Sequence, residues 1–234
     1  MMKQIYLAIT ACVVATLFQS APARCQTPQW QGSLFPSYRY AHAMAYDSYR
    51  GQTVLFGGAS SGGYATPGNE TWEWNDSAAI LRSRVGPSTR YYHAITYDSL
   101  RHVTVLFGGS TSSGASGETW EWDGNVWALR SNTGPSPRWS HSLTYDANRG
   151  VTVLFGGYNN SVYLGDTWEW DGFAWTLKST SGPAPRYQHS LAFDSSRNLT
   201  VLYGGYSYIN GTRTYPKTFS SFERMNKHYA ETHG

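Results

Sequence analysis

Four histidines recur at matched positions in the 234-residue chain: His42, His93, His141 and His189, with spacings of 51, 48 and 48. Imidazole is a common ligand of zinc and copper, so four copies held at one height around an axis could converge on a metal. Each is present once in every unit, however, as a scaffold residue would be. The reading is packing within its own unit, with no metal and no cofactor assigned. A second recurring group is acidic. Glu73, Glu121 and Glu169 lie at the centre of three T-W-E-W strings. Their alternation with the flanking tryptophans turns them to the opposite face, where a buried carboxylate needs a cation. Arg39, Arg90, Arg138 and Arg186 repeat with the histidine spacing and are the expected bidentate partners. No G-x-S-x-G, H-E-x-x-H or P-loop string occurs, and no catalytic residue is assigned.

The elements that carry these residues follow from self-comparison. Glycine pairs stand at Gly57-Gly58, Gly108-Gly109, Gly156-Gly157 and Gly204-Gly205, again 51, 48 and 48 apart. The T-W-E-W strings hold Trp72 and Trp74, Trp120 and Trp122, then Trp168 and Trp170, in steps of 48. Each unit reads as four short strands: R-x-x-H-x-x-x-[YF]-D, then T-V-L-[FY]-G-G, then T-W-E-W, then a strand opened by a tryptophan such as Trp127 or Trp175. Runs of β-branched and aromatic residues between turn residues are strand signals. D-x-x-R segments join the first two strands, and Asp123-Gly124 and Asp171-Gly172 predict two-residue hairpins between the third and fourth. Composition agrees: 16% aromatic, 14% charged, with 24 glycines, which excludes both a disordered chain and a helical one. A four-stranded unit cannot cover both its faces alone. Stacking such units around an axis gives a β-propeller.

Length variation is confined to one place, the loop joining strands two and three. From glycine pair to T-W-E-W tryptophan the spacing is 14 in the first unit and 11 in the next two. A constant scaffold with one variable loop set is the layout of a binding surface. These loops and their continuation past the fourth glycine pair carry Tyr64, Tyr158, Asn159, Asn160, Tyr163, Tyr206 and Tyr208. These are the candidate ligand contacts, because tyrosine and asparagine stack and hydrogen-bond with either protein or sugar.

The glycine pair after a hydrophobic strand, followed by tryptophans seven apart at Trp120 and Trp127 and at Trp168 and Trp175, resembles the Kelch repeat. The first unit departs from it, with Ala79 in place of the second tryptophan. The resemblance covers residues 30 to 205 and is closest to exported bacterial Kelch-type proteins, whose fold is shared with the galactose oxidase central domain. It implies a propeller of five to seven blades and most often a binding role. A galactose-oxidase-like copper site needs a Cys–Tyr pair, and the only cysteines are Cys12 and Cys25, ahead of the repeats. The expected fold is therefore all-β, with about four visible blades of four antiparallel strands, starting near 39, 90, 138 and 186. The last blade is incomplete, or is closed by an N-terminal strand around Trp30.

Residues 1–23 read as an export signal: Lys3, an apolar run from Ile5 to Phe18, and small residues before a cut after Ala23. Residues 24–205 would hold the repeats and 206–234 an irregular tail. The repeat body carries 13 basic and 13 acidic residues, a balance that gives nucleic acid no footprint. The mature chain holds no apolar run of membrane-spanning length. The functional expectation is a secreted or envelope-located module, not an enzyme, that recognises a protein or glycan through its strand two-to-three loops. Three alternatives stand beside it: an enzyme whose site is completed by further blades or a partner, a structural envelope module, and a truncated remnant. Open strand edges would permit self-association.

Overall fold

The computed structural model describes residues 36–60, 68–75, 78–209 and 212–214. The expected export signal, Trp30 and Tyr64 lie outside these residues, as does most of the 206–234 tail. Among the described residues all regular secondary structure is strand. Three sheets have four antiparallel strands each, in the order in which the chain makes them. Blade 1 contains Ala43–Asp47, Gln52–Phe56, Thr71–Trp74 and Ala79–Ser83. Blade 2 contains Ala94–Asp98, Val103–Phe107, Thr119–Trp122 and Trp127–Ser131. Blade 3 contains Ser142–Asp146, Val151–Tyr158, Tyr163–Trp170 and Trp175–Ser179. The fourth sheet has three strands: Tyr187–Asp194, Leu199–Ile209 and Thr212–Thr214. This is the all-β architecture of propeller blades.

The boundary expected at residue 205 falls inside a strand. Leu199–Ile209 runs past the glycine pair and folds back on Thr212–Thr214, with Ser207 opposite Thr214. The links between third and fourth strands also differ from expectation. Trp122 pairs with Trp127, which leaves a four-residue loop, and Asp123 Oδ1 accepts the N–H groups of Asn125 and Val126. The aspartate side chain therefore builds the turn itself, in place of a two-residue hairpin. In each complete blade the pairing of third and fourth strands shifts register between Thr and Trp of the third strand, a bulge that adds twist at the same height every time.

The core lies between blades. Val54 and Phe56 of blade 1 pack with Ile95, Leu106, Trp122 and Trp127 of blade 2. Phe107 and Ala94 pack with Leu143, Leu154, Trp168 and Trp175 one blade on. Trp122 and Trp170 are fully buried; removing one indole from water is worth up to about 4–6 kcal/mol. Their N–H groups are not stranded. Trp122 Nε1 donates to Glu73 Oε1 of the preceding blade at 2.9 Å, and Trp170 Nε1 to Glu121 Oε1 at 3.1 Å.

Those glutamates are inter-blade, but their cations are not the ones expected. Glu73 is held by Arg50 at 2.6 Å and Arg82 at 2.8 Å. Glu121 is held by Arg101 at 2.5 Å and Arg130 at 2.9 Å, and Glu169 by Arg149 and by Lys178 at 3.5 Å. Arg50, Arg101 and Arg149 are the arginines of the D-x-x-R links. In each link the aspartate accepts two backbone N–H groups and holds its own arginine, as Asp47 does with Tyr49, Arg50 and the Arg50 Nε. One short motif thus closes the first turn and neutralises the third strand.

Arg39, Arg90 and Arg138 instead take the acid just before each T-W-E-W string. Arg39 pairs with Glu70 at 2.8 Å, Arg90 with Glu118 at 2.6 Å, and Arg138 with Asp166 through two bonds of 2.7 and 2.8 Å. Each also donates to the carbonyl of the first glycine of its pair, at 3.0, 3.0 and 3.1 Å.

Candidate functional site

The sequence at the start of every blade is Arg, an aromatic, one variable residue, then His: Arg39-Tyr40, Arg90-Tyr91, Arg138-Trp139 and Arg186-Tyr187. The variable residues Ala41, Tyr92, Ser140 and Gln188 all adopt left-handed backbone, with φ of 53°, 55°, 52° and 55°, which is uncommon for side-chain-bearing residues. They are held there by one another. The N–H of Tyr92 donates to the carbonyl of Ala41 at 2.9 Å, Ser140 to Tyr92 at 2.8 Å, and Gln188 to Ser140 at 2.9 Å. A belt of backbone hydrogen bonds thus steps from blade to blade.

The sharp turn places the preceding aromatic beside the strand two-to-three loop. Trp139 and Tyr158 exchange both backbone bonds, at 3.0 and 2.9 Å, as do Tyr91 and Ser110 at 3.1 and 2.8 Å. Tyr187 lies opposite Tyr206, and Tyr40 opposite Ala59. In every blade the residue after the arginine is therefore paired with the residue after the glycine pair.

The aromatics so placed form one run of contacts. Tyr91 meets Tyr92 at 5.2 Å between ring centres, and Tyr92 meets Trp139 at 5.5 Å. Trp139 meets Tyr158 edge-on at 5.2 Å, and Tyr158 meets Tyr163 at 4.9 Å. Tyr163 stacks on Tyr187 at 5.1 Å with 26° between the planes, and Tyr187 reaches Tyr206 at 5.7 Å. All seven rings are half-buried. Asn160 closes the loop side: its Oδ1 accepts the Trp139 indole N–H at 2.8 Å, while Asn159 Oδ1 accepts the N–H groups of Ser161 and Val162 and sets the turn.

Of the loop residues singled out from sequence, Tyr158, Asn159, Asn160, Tyr163 and Tyr206 lie in or directly beneath this shelf. Tyr64 is outside the described residues, and Tyr208 is described only as backbone in a strand. Tyr91, Tyr92, Trp139 and Tyr187 were not anticipated. The signal was the aromatic that follows each repeated arginine.

Electrostatically the shelf is quiet. The arginines below it are neutralised by Glu118 and Asp166, whose carboxyls stay below the usual range: burial works against this, and the bonds from Arg90 and Arg138 outweigh it. Burial raises the Tyr92 phenol, as do the nearby Tyr40, Tyr91 and Tyr187 phenols, so it remains a neutral hydrogen-bond donor. Arg186 is the exception. Its Nε and Nη1 donate to the carbonyls of Ala184 and Gly204 at 3.0 and 3.2 Å, but its buried Nη2 has no partner among the described residues. Burial lowers its pKa to about 10. The position 48 residues after Asp166 is Thr214.

The histidines do not converge as a metal-ligand set, and among the described residues no group of three or more His, Cys, Asp or Glu is placed to hold a metal. His42 keeps a bond to Arg39 of its own unit, but the other three turn to the preceding blade instead of their own. His93, His141 and His189 meet Phe56, Phe107 and Phe155 of the preceding blade edge-on at 5.4 Å. His189 Nε2 lies 3.1 Å from the Phe155 carbonyl. Burial, followed by the nearby Arg90 or Arg186 charge, lowers His93 and His189 to about 3, and His141 lies well below its ordinary value for the same reasons. All three are neutral wedges between blades.

No family model matches the chain, and no curated protein matches it. Among solved structures the chain is similar to YjhT, a β-propeller, with a TM-score of 0.58 and 13% identity over 73% of this chain. The chain spans about 60% of the length of that relative. At that identity the likeness concerns fold, and the fold shared is the β-propeller.

Proposed function

We propose that this chain is an exported Kelch-type propeller that binds a glycan on the aromatic shelf, with no bond-making chemistry of its own. The observation that carries the reading is the unbroken run of half-buried rings from Tyr91 to Tyr206, edged by Asn160. Sugars present flat C–H faces ringed by hydroxyls. Stacked tyrosine and tryptophan rings with phenol and amide edges match both parts at low conformational cost. The charge balance beneath the shelf suits a neutral ligand, and the spread of contacts over three blades suits a chain of several sugar units.

The test is a screen of neutral oligosaccharides followed by titration against the indole fluorescence of the mature chain. Binding is expected to fall at least tenfold in Trp139→Ala and in Tyr163→Ala, and to be unchanged in Tyr49→Ala, an exposed residue at the D-x-x-R turn. Failure of every glycan, or equal binding by Trp139→Ala and the parent, would overturn the reading. Capture of extended peptides by the same rings would replace it with a protein-binding one.

A further inference from the structure

The rings of the shelf fall into two sets by orientation. Tyr158, Tyr163 and Tyr187 form one set: the planes of Tyr158 and Tyr163 differ by 36°, and those of Tyr163 and Tyr187 by 26°. Tyr92 and Trp139 form the other, 33° apart. Between the sets the surface turns a corner. The Trp139 plane makes 80° with Tyr158 and 84° with Tyr187, at ring-centre distances of 5.2 and 6.3 Å. Those separations are of the order of one sugar unit, so neighbouring units of a chain reach both sides of the bend.

Three contacts fix that corner. Trp139 and Tyr158 exchange both backbone hydrogen bonds, so their rings start from neighbouring points on paired backbone. The N–H of Ser140 donates to the Tyr92 carbonyl at 2.8 Å, which holds Tyr92 and Trp139 together across the blade boundary. The indole itself is pinned by Asn160, whose Oδ1 accepts its N–H at 2.8 Å. An indole only donates, so the amide oxygen must be the atom that faces it. Asn160 has a φ of 73°, a left-handed conformation that asparagine accepts more readily than most residues. On its other side its Nδ2 lies 3.8 Å from where a Cβ on Gly114 would stand. The short hairpin of Ser110–Thr111 and Gly114–Ala115, in the strand two-to-three loop of blade 2, is therefore its neighbour.

A sugar chain lying on such a surface has to present the apolar faces of neighbouring units at nearly a right angle. Linkage decides whether it does. In a β-1,4-linked glucan successive units are turned over but keep their ring planes nearly parallel, and the chain is a flat ribbon. In α-1,4- and β-1,3-linked glucans successive ring planes are rotated, and the chain coils. A ribbon covers the tyrosine set or the Trp139 set, one at a time. A coil covers both.

Building on the reading of the shelf as a glycan site, we infer that its bend at Trp139 selects coiled neutral glucans over flat ribbons, with Asn160 as the positioning residue that holds the bend. Selectivity is a difference between two affinities. A pinned corner supplies one, because a ribbon either leaves half the rings uncovered or is distorted to reach them, while a coil arrives in the shape required. Asn160 acts through the indole: it sets the angle at which Trp139 meets the first unit, and with it the angle that the next unit must adopt on Tyr187.

The experiment compares maltohexaose and laminarihexaose, which coil, with cellohexaose, a ribbon, by titration calorimetry. The tighter of the two coils is expected to bind at least tenfold better than the ribbon. Trp139→Ala should bring coil and ribbon within threefold of each other, because the tyrosines that remain are one near-parallel set. Asn160→Gly keeps the left-handed backbone but releases the indole. It should lower the preference several-fold and speed hydrogen exchange at the Trp139 indole N–H. Asn160→Asp keeps an acceptor for the indole and should restore both readouts towards the parent. Cellohexaose bound as tightly as the better coil would overturn the inference while leaving a glycan site in place. So would a preference that survives Trp139→Ala and Asn160→Gly alike. Binding of none of the three hexaoses would also overturn it, and the wider screen of oligosaccharides then decides separately whether the shelf takes glycans at all.

Discussion

Blade 3 and the fourth sheet begin with nearly the same residues, yet among the described residues only blade 3 has four strands. Arg138 reaches Asp166 through two bonds, while Arg186, equally buried, has an Nη2 with no partner among the described residues. Phe155 is sealed by His189, while Tyr203 faces water. Each motif therefore acts in two parts: the arginine is completed by its own third strand, and the glycine pair by the next blade. Where the completing part is missing, the same letters change from stabilising to neutral or costly.

The largest effect that would test this contrast is at the arginines. Arg138→Met strands the Asp166 carboxylate and is expected to cost about 3–5 kcal/mol of unfolding free energy. Arg186→Met removes a buried charge that no acid answers among the described residues and should be neutral or stabilising. Equal losses in the two variants, measured by urea unfolding, would mean that the arginine acts through its stem and carbonyl bonds alone.

The glycines should show a smaller contrast. A Cβ at Gly108 meets the Arg138 carbonyl and the His141 ring, while one at Gly204 meets nothing, and both have φ near 70°. Left-handed strain is common to both at about 1 kcal/mol. Overpacking adds about 2 kcal/mol more to Gly108→Ala. Thermal midpoints of the two variants in dilute protein would check the ordering.

The mildest contrast is in pH. In the folded chain His93 and His189 stay unprotonated down to about pH 3, and His141 is likewise depressed; in the unfolded chain they take protons near pH 6.5. Between those limits the unfolded state binds more protons, so stability is complete above about pH 6.5 and falls on acidification. The slope is about 1.4 kcal/mol per pH unit for each histidine. His141→Gln should flatten it by about one such increment. His42→Gln, on the open face, should change it less.

The repeat and its four-strand grammar were legible because each landmark recurs at a fixed interval, and recurrence survives any uncertainty about pairing. The pairing itself was misread. Each T-W-E-W string offers two acids three residues apart, one just before it and one inside it, such as Glu118 and Glu121. Sequence order gives no measure of which lies near Arg90 and which near Arg101. The D-x-x-R arginine was read as part of a turn when it also reaches across to the third strand. The shelf was half visible for a related reason. Loop tyrosines stand out by their variability, whereas Tyr91, Trp139 and Tyr187 hide inside a repeated string whose flanking letters draw the eye. Only the left-handed turn after them reveals that they lie beside those loops.

That turn has a consequence for how such a surface changes over time. Its anchoring contacts are made by peptide groups, so Ala41, Tyr92, Ser140 and Gln188 can differ in every blade while the linkage between sheets stays the same. An array wired in this way can trade small, aromatic, hydroxylic and amide groups at this turn one at a time without redesigning what holds it up.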